Sequence, residues 1–386
     1  MHESNGYEER RLLDLQFIAK TLTDLSNTIT SIRYYPKEPN KSFKLLKSAI
    51  ARMLSFFNLV ILKREVFREL QLLVHDRLQP SLQRLAIDYF RNIIENINEY
   101  NDLYALLDDD YSREVLLKVL KFRIILPFVG LARASNFVKF KYSYDKVSKL
   151  HTIVKGYIVK QGSPPLIRFN GYRIYTDPET FIEVFLVKIY EYKSIVKPER
   201  DDVVIDAGAY YGESSIWFAS RVGKYGKVYA LEPQKDVFKV LVKNILMNKL
   251  TNIIKPFNLG LWSKPSRATM YGKGGDATII AHRYVYDKTE SIDIKVTSLD
   301  YLLESGEIEC VDFIKMDIEG AEMEALKGAK RTLHKCKPKL AVAAYHKPED
   351  LIEIARLIKK IEPRYKIYLD HKWYDNRETI LFAKLG

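Results

Sequence analysis

The sequence predicts an α/β protein: a doubly wound, mostly parallel sheet that ends in an antiparallel strand pair, preceded by an all-α N-terminal domain. Three observations carry this. Up to about residue 150, apolar residues recur at helical spacing and β-branched alternation is scarce. From Val203 on, short apolar runs alternate with amphipathic stretches, the pattern of strands buried on both faces between helices. Near the C-terminus two apolar runs flank a polar turn.

Taken in order, Leu12, Leu13, Leu15, Phe17, Ile18 and Leu22 open the helical part, and similar patterns fill 43–75, 81–107 and 112–126. Pro80-Ser81 reads as a helix start, with Ser81 as the cap and Pro80 just outside it. Asp108, Asp109 and Asp110 precede Ser112-Arg-Glu-Val-Leu-Leu, and carboxylates there meet the positive end of a helix, a better account of them than a metal site. Pro127 and Gly130 end the last long helix. The period then changes. Leu166-Ile-Arg-Phe and Tyr172-Arg-Ile-Tyr alternate across Asn170-Gly171, a strong hairpin signal. Phe181 to Ile195 is amphipathic and leads into Pro198. The runs Val203–Ile205, Val228–Leu231, Ile253–Phe257, Phe313–Met316 and Leu340–Ala344 read as buried strands, separated by helical stretches such as Val237–Met247 and Ala321–Leu333. Tyr365–Leu369, the turn Asp375-Asn376-Arg377 and Thr379–Ala383 form the antiparallel pair. The boundary falls near residue 155: an all-α domain over 1–155, then a second domain over 156–386, with a β-hairpin and helix at 165–197 and the doubly wound core at 201–386.

Composition narrows the class. Of 386 residues 47% are apolar and 12% aromatic, stock for a sizeable core, which excludes disorder for the bulk of the chain. Two cysteines, Cys310 and Cys336, make no disulfide framework and no CxxC pair, so the chain reads as reduced and intracellular. Met1 to Arg11 is polar and carries no secretory signal. The most apolar stretch, Met53 to Leu62, has about half the length a bilayer-spanning helix needs. A cytoplasmic protein is expected, with contact at a membrane surface allowed. The net charge is +13, of which residues 1–200 hold +9 and residues 201–386 +4. With no block of five like charges, this is first a solvated basic surface, and second a hint that the helical domain touches an anionic acceptor or surface.

The densest chemical signal is Val203-Val-Ile-Asp-Ala-Gly-Ala-Tyr-Tyr-Gly212. A buried strand ends at Asp206, and Gly208 and Gly212 follow in a tight turn into a helix, where free N–H groups face a ligand. The spacing is G-x-x-x-G rather than the G-x-G-x-x-G of dinucleotide sites. Glu232 closes the next strand, 26 residues after Asp206, where a carboxylate accepts both hydroxyls of a ribose. In Asp312-Phe-Ile-Lys-Met-Asp-Ile-Glu-Gly-Ala-Glu322 a third strand ends at Asp317. Glu319 and Glu322 follow it, three apart, and face one way if both are helical. Charge compensation at a helix start accounts for Glu322 and Glu324 better than for Asp317. His346 closes the strand after that, a candidate base.

Together Asp206-Ala-Gly-Ala-Tyr-Tyr-Gly212, Leu231-Glu-Pro233, Ser298-Leu-Asp300, Ile314-Lys-Met-Asp-Ile-Glu-Gly-Ala-Glu322 and Tyr345-His-Lys-Pro-Glu-Asp350 resemble the FkbM-type S-adenosylmethionine-dependent methyltransferases, over roughly 165–386. The resemblance implies a Rossmann-like class I fold whose seven-stranded sheet ends in an antiparallel pair. It also implies methyl transfer to a hydroxyl oxygen of a sugar, glycan, glycolipid or related metabolite. By that match Asp206, Gly208 and Gly212 hold the methionine part of S-adenosylmethionine, Glu232 holds the ribose and Asn258 touches the adenine, with Ala209 and Asp317 also at the cofactor. Tyr210 and Tyr211 stand where the family has smaller polar residues.

An unactivated hydroxyl needs a proton acceptor, and His346 or Asp317, partnered by Glu319, is the expected one. A divalent ion held by Asp317 and Glu319 would instead acidify the hydroxyl, although no metal-ligand set is assigned from sequence. Two other classes compete: a nucleic-acid methyltransferase, which the basic charge allows but no RNA-binding motif supports, and a non-catalytic cofactor-binding module whose helical part binds a partner. The helices also allow a homo-oligomer.

Overall fold

The computed structural model describes residues 80–129, 131–272, 274–279 and 291–386. The helices expected from Leu12 to Leu22 and over 43–75, and the apolar stretch Met53–Leu62, lie outside them. Of the described residues, 80–106 with 113–140 form one compact unit and 107–112 with 141–386 another.

The first unit is helical, with α1 (Pro80–Glu95), α2 (Ile97–Leu106), most of α3 (Asp110–Val129) and α4 (Leu131–Val138). Ala86, Tyr89, Phe90 and Ile93 of α1 are buried at spacings of three and four, so one face is apolar. In α3 the fully buried Arg123 lies over the Tyr89 ring, 4.0 Å from its centroid, a cation–π contact in place of water. Pro127 does not stop α3, which runs on to Val129; a proline removes one helical hydrogen bond, a local cost that tertiary context routinely overrides.

The second unit begins with Leu107–Ser112. Asp109, just before α3, accepts the Ser112 N–H at 2.8 Å, the helix-start role expected of the acidic run. It also accepts from the Tyr192 hydroxyl and the Lys193 ammonium. Helix α5 (Tyr144–Lys155), capped by Ser143, belongs to this unit rather than to the helical one. The division therefore falls before α5 and not near residue 155, because Val147 and Val154 pack into the core shared with Ile167, Ile174 and Phe181. A three-stranded antiparallel sheet follows, β1 (Ile158–Lys160), β2 (Leu166–Phe169) and β3 (Tyr172–Tyr175). Asn170 and Gly171 sit at its tip at φ 47 and 85, the two positive angles a tight hairpin turn needs. Helix α6 (Pro178–Phe181) continues as a π-helical segment over Ile182–Val187.

The main sheet has seven strands: β4 (Val203–Ala207), β5 (Lys227–Leu231), β6 (Ile254–Phe257), β10 (Phe313–Met316), β11 (Lys339–Ala343), β12 (Tyr365–His371) and β13 (Thr379–Leu385). Their order is β12-β13-β11-β10-β4-β5-β6. The strands from β11 to β6 pair in parallel, and β13 runs antiparallel to β11 and β12. This is the Rossmann-like architecture expected, antiparallel strand included. The connecting helices are α7 (Glu213–Val222), α8 (Lys235–Met247), α9 (Leu299–Glu304), α10 (Glu322–Lys327), α11 (Lys330–Cys336) and α12 (Asp350–Ile361). A smaller sheet, ordered β7-β9-β8, is formed by β7 (Gly260–Leu261), β8 (Ser266–Tyr271) and β9 (Ser291–Thr297).

The expectation of a reduced chain is corrected at one point. Cys310 and Cys336 form a disulfide with Cα atoms 5.5 Å apart. They are 26 residues apart in sequence, and only the return of α11 beside the start of β10 brings them together. Among the described residues no helix is long and apolar enough to cross a membrane.

Strand order fixes where a ligand can sit. From β4 the chain steps outward to β5 and β6, and from β10 it steps the opposite way to β11, so the connections diverge at the carboxyl ends of β4 and β10 and leave a crevice there.

Candidate active site

The crevice has two halves that meet at Gly208. Its φ is +77, and a Cβ there would stand 1.9 Å from the Asp317 carbonyl oxygen, so only glycine allows the β4 turn to lie against the end of β10. Gly212, at φ +92, begins α7 with its Cα turned toward Leu241 of α8, where a Cβ would meet the side chain at 2.5 Å. Between them the Gly208 and Ala209 N–H groups both donate to the Leu231 carbonyl, at 3.1 and 3.0 Å, which ties the turn to β5.

Asp206 is fully buried. Its Oδ2 accepts from the Ser214 and Ser215 hydroxyls at 2.8 and 2.5 Å, and its Oδ1 faces the Lys315 ammonium at 3.3 Å. These partners are internal, and through them Asp206 braces the turn against the first residues of α7. Lys315, which the sequence reading passed over, completes the brace. Also buried, it donates to the Ala207 and Gly208 carbonyls at 3.0 and 2.6 Å. A lysine in the middle of the apolar run Phe313–Met316 was the signal available for it.

Glu232 lies at the end of β5, 4% exposed. One carboxylate oxygen accepts the Tyr210 N–H at 3.1 Å and the other the Gln234 N–H at 2.8 Å. Burial pushes its pKa up to about 7, although the two N–H donors and Lys315 pull against it. Asn258 donates its side-chain amide to the Glu232 and Pro233 carbonyls, at 2.9 and 3.0 Å, and so clamps the strand end that carries Glu232. Tyr210, at φ 47, donates its hydroxyl to Asp177 at 2.9 Å. Gln234 grips Gly274 in both directions, by its amide to the carbonyl at 2.7 Å and by its Oε1 from the N–H at 3.0 Å. Glu213, the first residue of α7, is a buried acid that the sequence reading also missed; burial pushes it up to about 8.

The other half lies at the ends of β10 and β11. Asp317 accepts the Tyr190 hydroxyl at 2.7 Å and the Tyr345 hydroxyl at 3.2 Å. Glu319 is not helical: it sits at φ 54, and α10 starts only at Glu322. Both glutamates nevertheless reach His346, from opposite sides of its ring. Nε2 lies 3.4 Å from Glu319 Oε2 and 3.5 Å from Asp317 Oδ1, while Nδ1 lies 3.1 Å from Glu322 Oε1. Burial alone would lower the imidazole pKa, but the charges of Glu322 and Glu319 outweigh it and raise it well above its ordinary value. Two further acids border the cluster. Asp350 is held up near 7 by burial and the Glu322 charge. Glu378 is raised well above the ordinary carboxylate range by burial, then by Glu183 and Asp317. Asp317, Glu319 and His346 thus come together as the sequence suggested, with Tyr190, Tyr345, Glu322 and Glu378 as neighbours it did not show.

A Rossmann-like sheet with a glycine turn at β4, an acid at the end of β5 and a polar cluster at β10 and β11 defines a methyltransferase-type fold. Residues 206–365 match the family model of the methyltransferase FkbM domain. The hexuronic acid methyltransferase AglP of Haloferax volcanii is 26% identical over 205 residues, which span 51% of this chain and 81% of that protein. Methyltransferase 1 of Beauveria bassiana is 24% identical, across 41% of this chain and 72% of its own. Among solved structures, an FkbM methyltransferase from Methylobacillus flagellatus KT shares the fold with a TM-score of 0.50 and 22% identity; the match covers 78% of this chain and 62% of that one.

Proposed function

We propose that this protein transfers a methyl group from S-adenosylmethionine to a hydroxyl oxygen of a sugar, glycan or glycolipid, with a uronic-acid-bearing glycan as the first acceptor to try. The observation that carries this reading is the junction at Gly208, where a nucleoside-type half built on Glu232 abuts a cluster of proton-accepting groups at Asp317. The FkbM domain and the name of the Haloferax relative support it.

The residues fit the cofactor. Each Glu232 oxygen accepts one backbone N–H and has a second lone pair for a ribose hydroxyl. The turn Gly208–Gly212 presents the N-terminus of α7 to the carboxylate of the methionine part. S-adenosylmethionine, when bound, supplies an electrophilic methyl group on a sulfonium. The chain's own contribution is alignment and proton uptake. Were the acceptor oxygen to bond to the methyl carbon as the sulfur–methyl bond breaks and S-adenosylhomocysteine leaves, the proton lost by that oxygen would pass to the Asp317 carboxylate, which the Tyr190 and Tyr345 hydroxyls orient. Glu322 and Glu319 raise the His346 pKa well above its ordinary value, which makes the imidazole a poorer choice of proton acceptor than Asp317. Glu319, the most open of the three, faces the acceptor.

The test is transfer of radiolabelled methyl into separated glycan, lipid, RNA and protein pools. Label in a glycan or glycolipid fraction that survives mild alkali is the expected result. Alkali-labile label would mean a methyl ester on a carboxylate, and label in RNA or protein would replace the acceptor class altogether. Cofactor binding without transfer to any pool would favour a non-catalytic module.

A further inference from the structure

The cluster around His346 holds more acids than a proton acceptor and its orienting groups require. Asp317, Glu319 and His346 each offer one ligand atom, and the three atoms lie within 4.8 Å of one another. The His346 side chain is 7% exposed, yet neither of its ring nitrogens makes a hydrogen bond of good geometry. Carboxylates approach both nitrogens at 3.1 to 3.5 Å, but without well-formed hydrogen bonds the buried imidazole is incompletely satisfied. Its Nε2 points toward Asp317 and Glu319, and its Nδ1 toward Glu322, which with Asp350 forms a second acidic group on the far side of the ring. A carboxylate behind one ring nitrogen and an open ligand set before the other is the arrangement that orients metal-bound histidines.

We propose that Asp317, Glu319 and His346 bind one hard divalent cation, Mg²⁺ or Mn²⁺, at the carboxyl ends of β10 and β11, with Glu322 orienting His346. Two carboxylate oxygens and one imidazole nitrogen suit such an ion better than a thiolate-seeking one, and leave coordination positions for oxygen ligands. The cation relieves the crowding of carboxylates that the imidazole otherwise balances alone. It also gives an acidic crevice a means of holding neighbouring sugar hydroxyls, or a uronate that bare carboxylates would repel. That last role rests on the proposed methyl transfer to a sugar; the cation site does not.

The test is Mn²⁺ binding to the full chain, followed by electron paramagnetic resonance without S-adenosylmethionine or acceptor, with Mg²⁺ as competitor. S-adenosylmethionine binding is measured separately by calorimetry. One Mn²⁺ per chain is expected, displaced by Mg²⁺, and Glu319→Gln and His346→Gln should each weaken it about tenfold or more. Cofactor affinity should stay within about twofold in Glu319→Gln, whose side chain is about a third exposed and whose melting temperature should match the parent's. If His346→Gln does not fold, Glu319→Gln alone decides. Absence of Mn²⁺ binding at about 1 mM, the weak end for protein cation sites, or binding unchanged in Glu319→Gln, overturns the site. Mn²⁺ binding without cofactor binding keeps the site and overturns the proposed function; cofactor binding without Mn²⁺ does the reverse.

Discussion

Burying Glu232 carries a cost to the free protein, which the proposed ribose contact would offset. Its carboxyl is buried and has a pKa near 7, whereas an unfolded glutamate titrates near 4.3. The folded-state pKa is the higher one, so the group's contribution to stability is fully present below about pH 4 and is lost as pH rises through 7. The loss is on the order of 3 kcal/mol. Glu232→Gln should therefore melt higher than the parent at pH 8 and no higher at pH 4, in thermal scans at both pH values. The same variant should bind S-adenosylmethionine about tenfold or more weakly, because hydrogen bonds to a charged acceptor are the stronger kind. Parent affinity should fall as pH drops below 7, and equal affinity at pH 6 and 8 would remove Glu232 from the ribose role. Glu232 was legible in the sequence as the last residue of an apolar run ahead of Pro233. Its titration was not, because that depends on burial, which the chain acquires only on folding.

At the scale of elements, the seam between β4 and β10 decides the geometry of the crevice. The two strands pair in parallel from Val204 and Phe313 onward, with Asp206 beside Lys315. That register puts a buried ammonium within reach of the Ala207 and Gly208 carbonyls and of the Asp206 carboxylate. Removing one partner of a buried pair leaves the other uncompensated, so Lys315→Met should destabilise the protein by about 3–5 kcal/mol. Replacing both, as Asp206→Asn with Lys315→Met, should recover a large part of that loss, and denaturant melts of the single and double variants measure it. A double variant no more stable than Lys315→Met would show that the lysine acts through the carbonyls alone. The strands themselves were readable from their apolar runs, and the hairpin from Asn170-Gly171. The pairing of β4 with β10 was not, since more than a hundred residues separate them. Nor could spacing show that Glu319 sits in a left-handed turn: three residues from Glu322 it reads as the same helical face, yet the two reach His346 from opposite sides.

At the scale of the whole molecule, the Cys310–Cys336 disulfide closes a loop that spans β10, α10 and α11, the segment that carries Asp317 and Glu319. A cross-link over 26 residues restricts the unfolded chain by about 3–4 kcal/mol in the chain-entropy account. Reduction, or Cys336→Ser, should lower the melting temperature and leave S-adenosylmethionine affinity unchanged, because Glu232 and the Gly208 turn lie outside the loop. Unchanged melting under reductant would show that the bridge does not form in solution. The charge distribution is a second feature of this scale. A chain with a net charge of +13 folds so that Glu183, Asp317, Glu319, Glu322, Asp350 and Glu378 influence one another around one edge of the sheet.

The sequence by itself determined the fold class, the strand ends that carry polar groups and the order of the motifs, because each of these is written in local periodicity and in residues a few positions apart. Tertiary structure decided the rest. It turned Asp206 inward, paired the cysteines, placed α5 with the α/β unit and set four carboxylates around His346. Those outcomes depend on which distant segments become neighbours and on how much water remains between them, and both are properties of the packed chain.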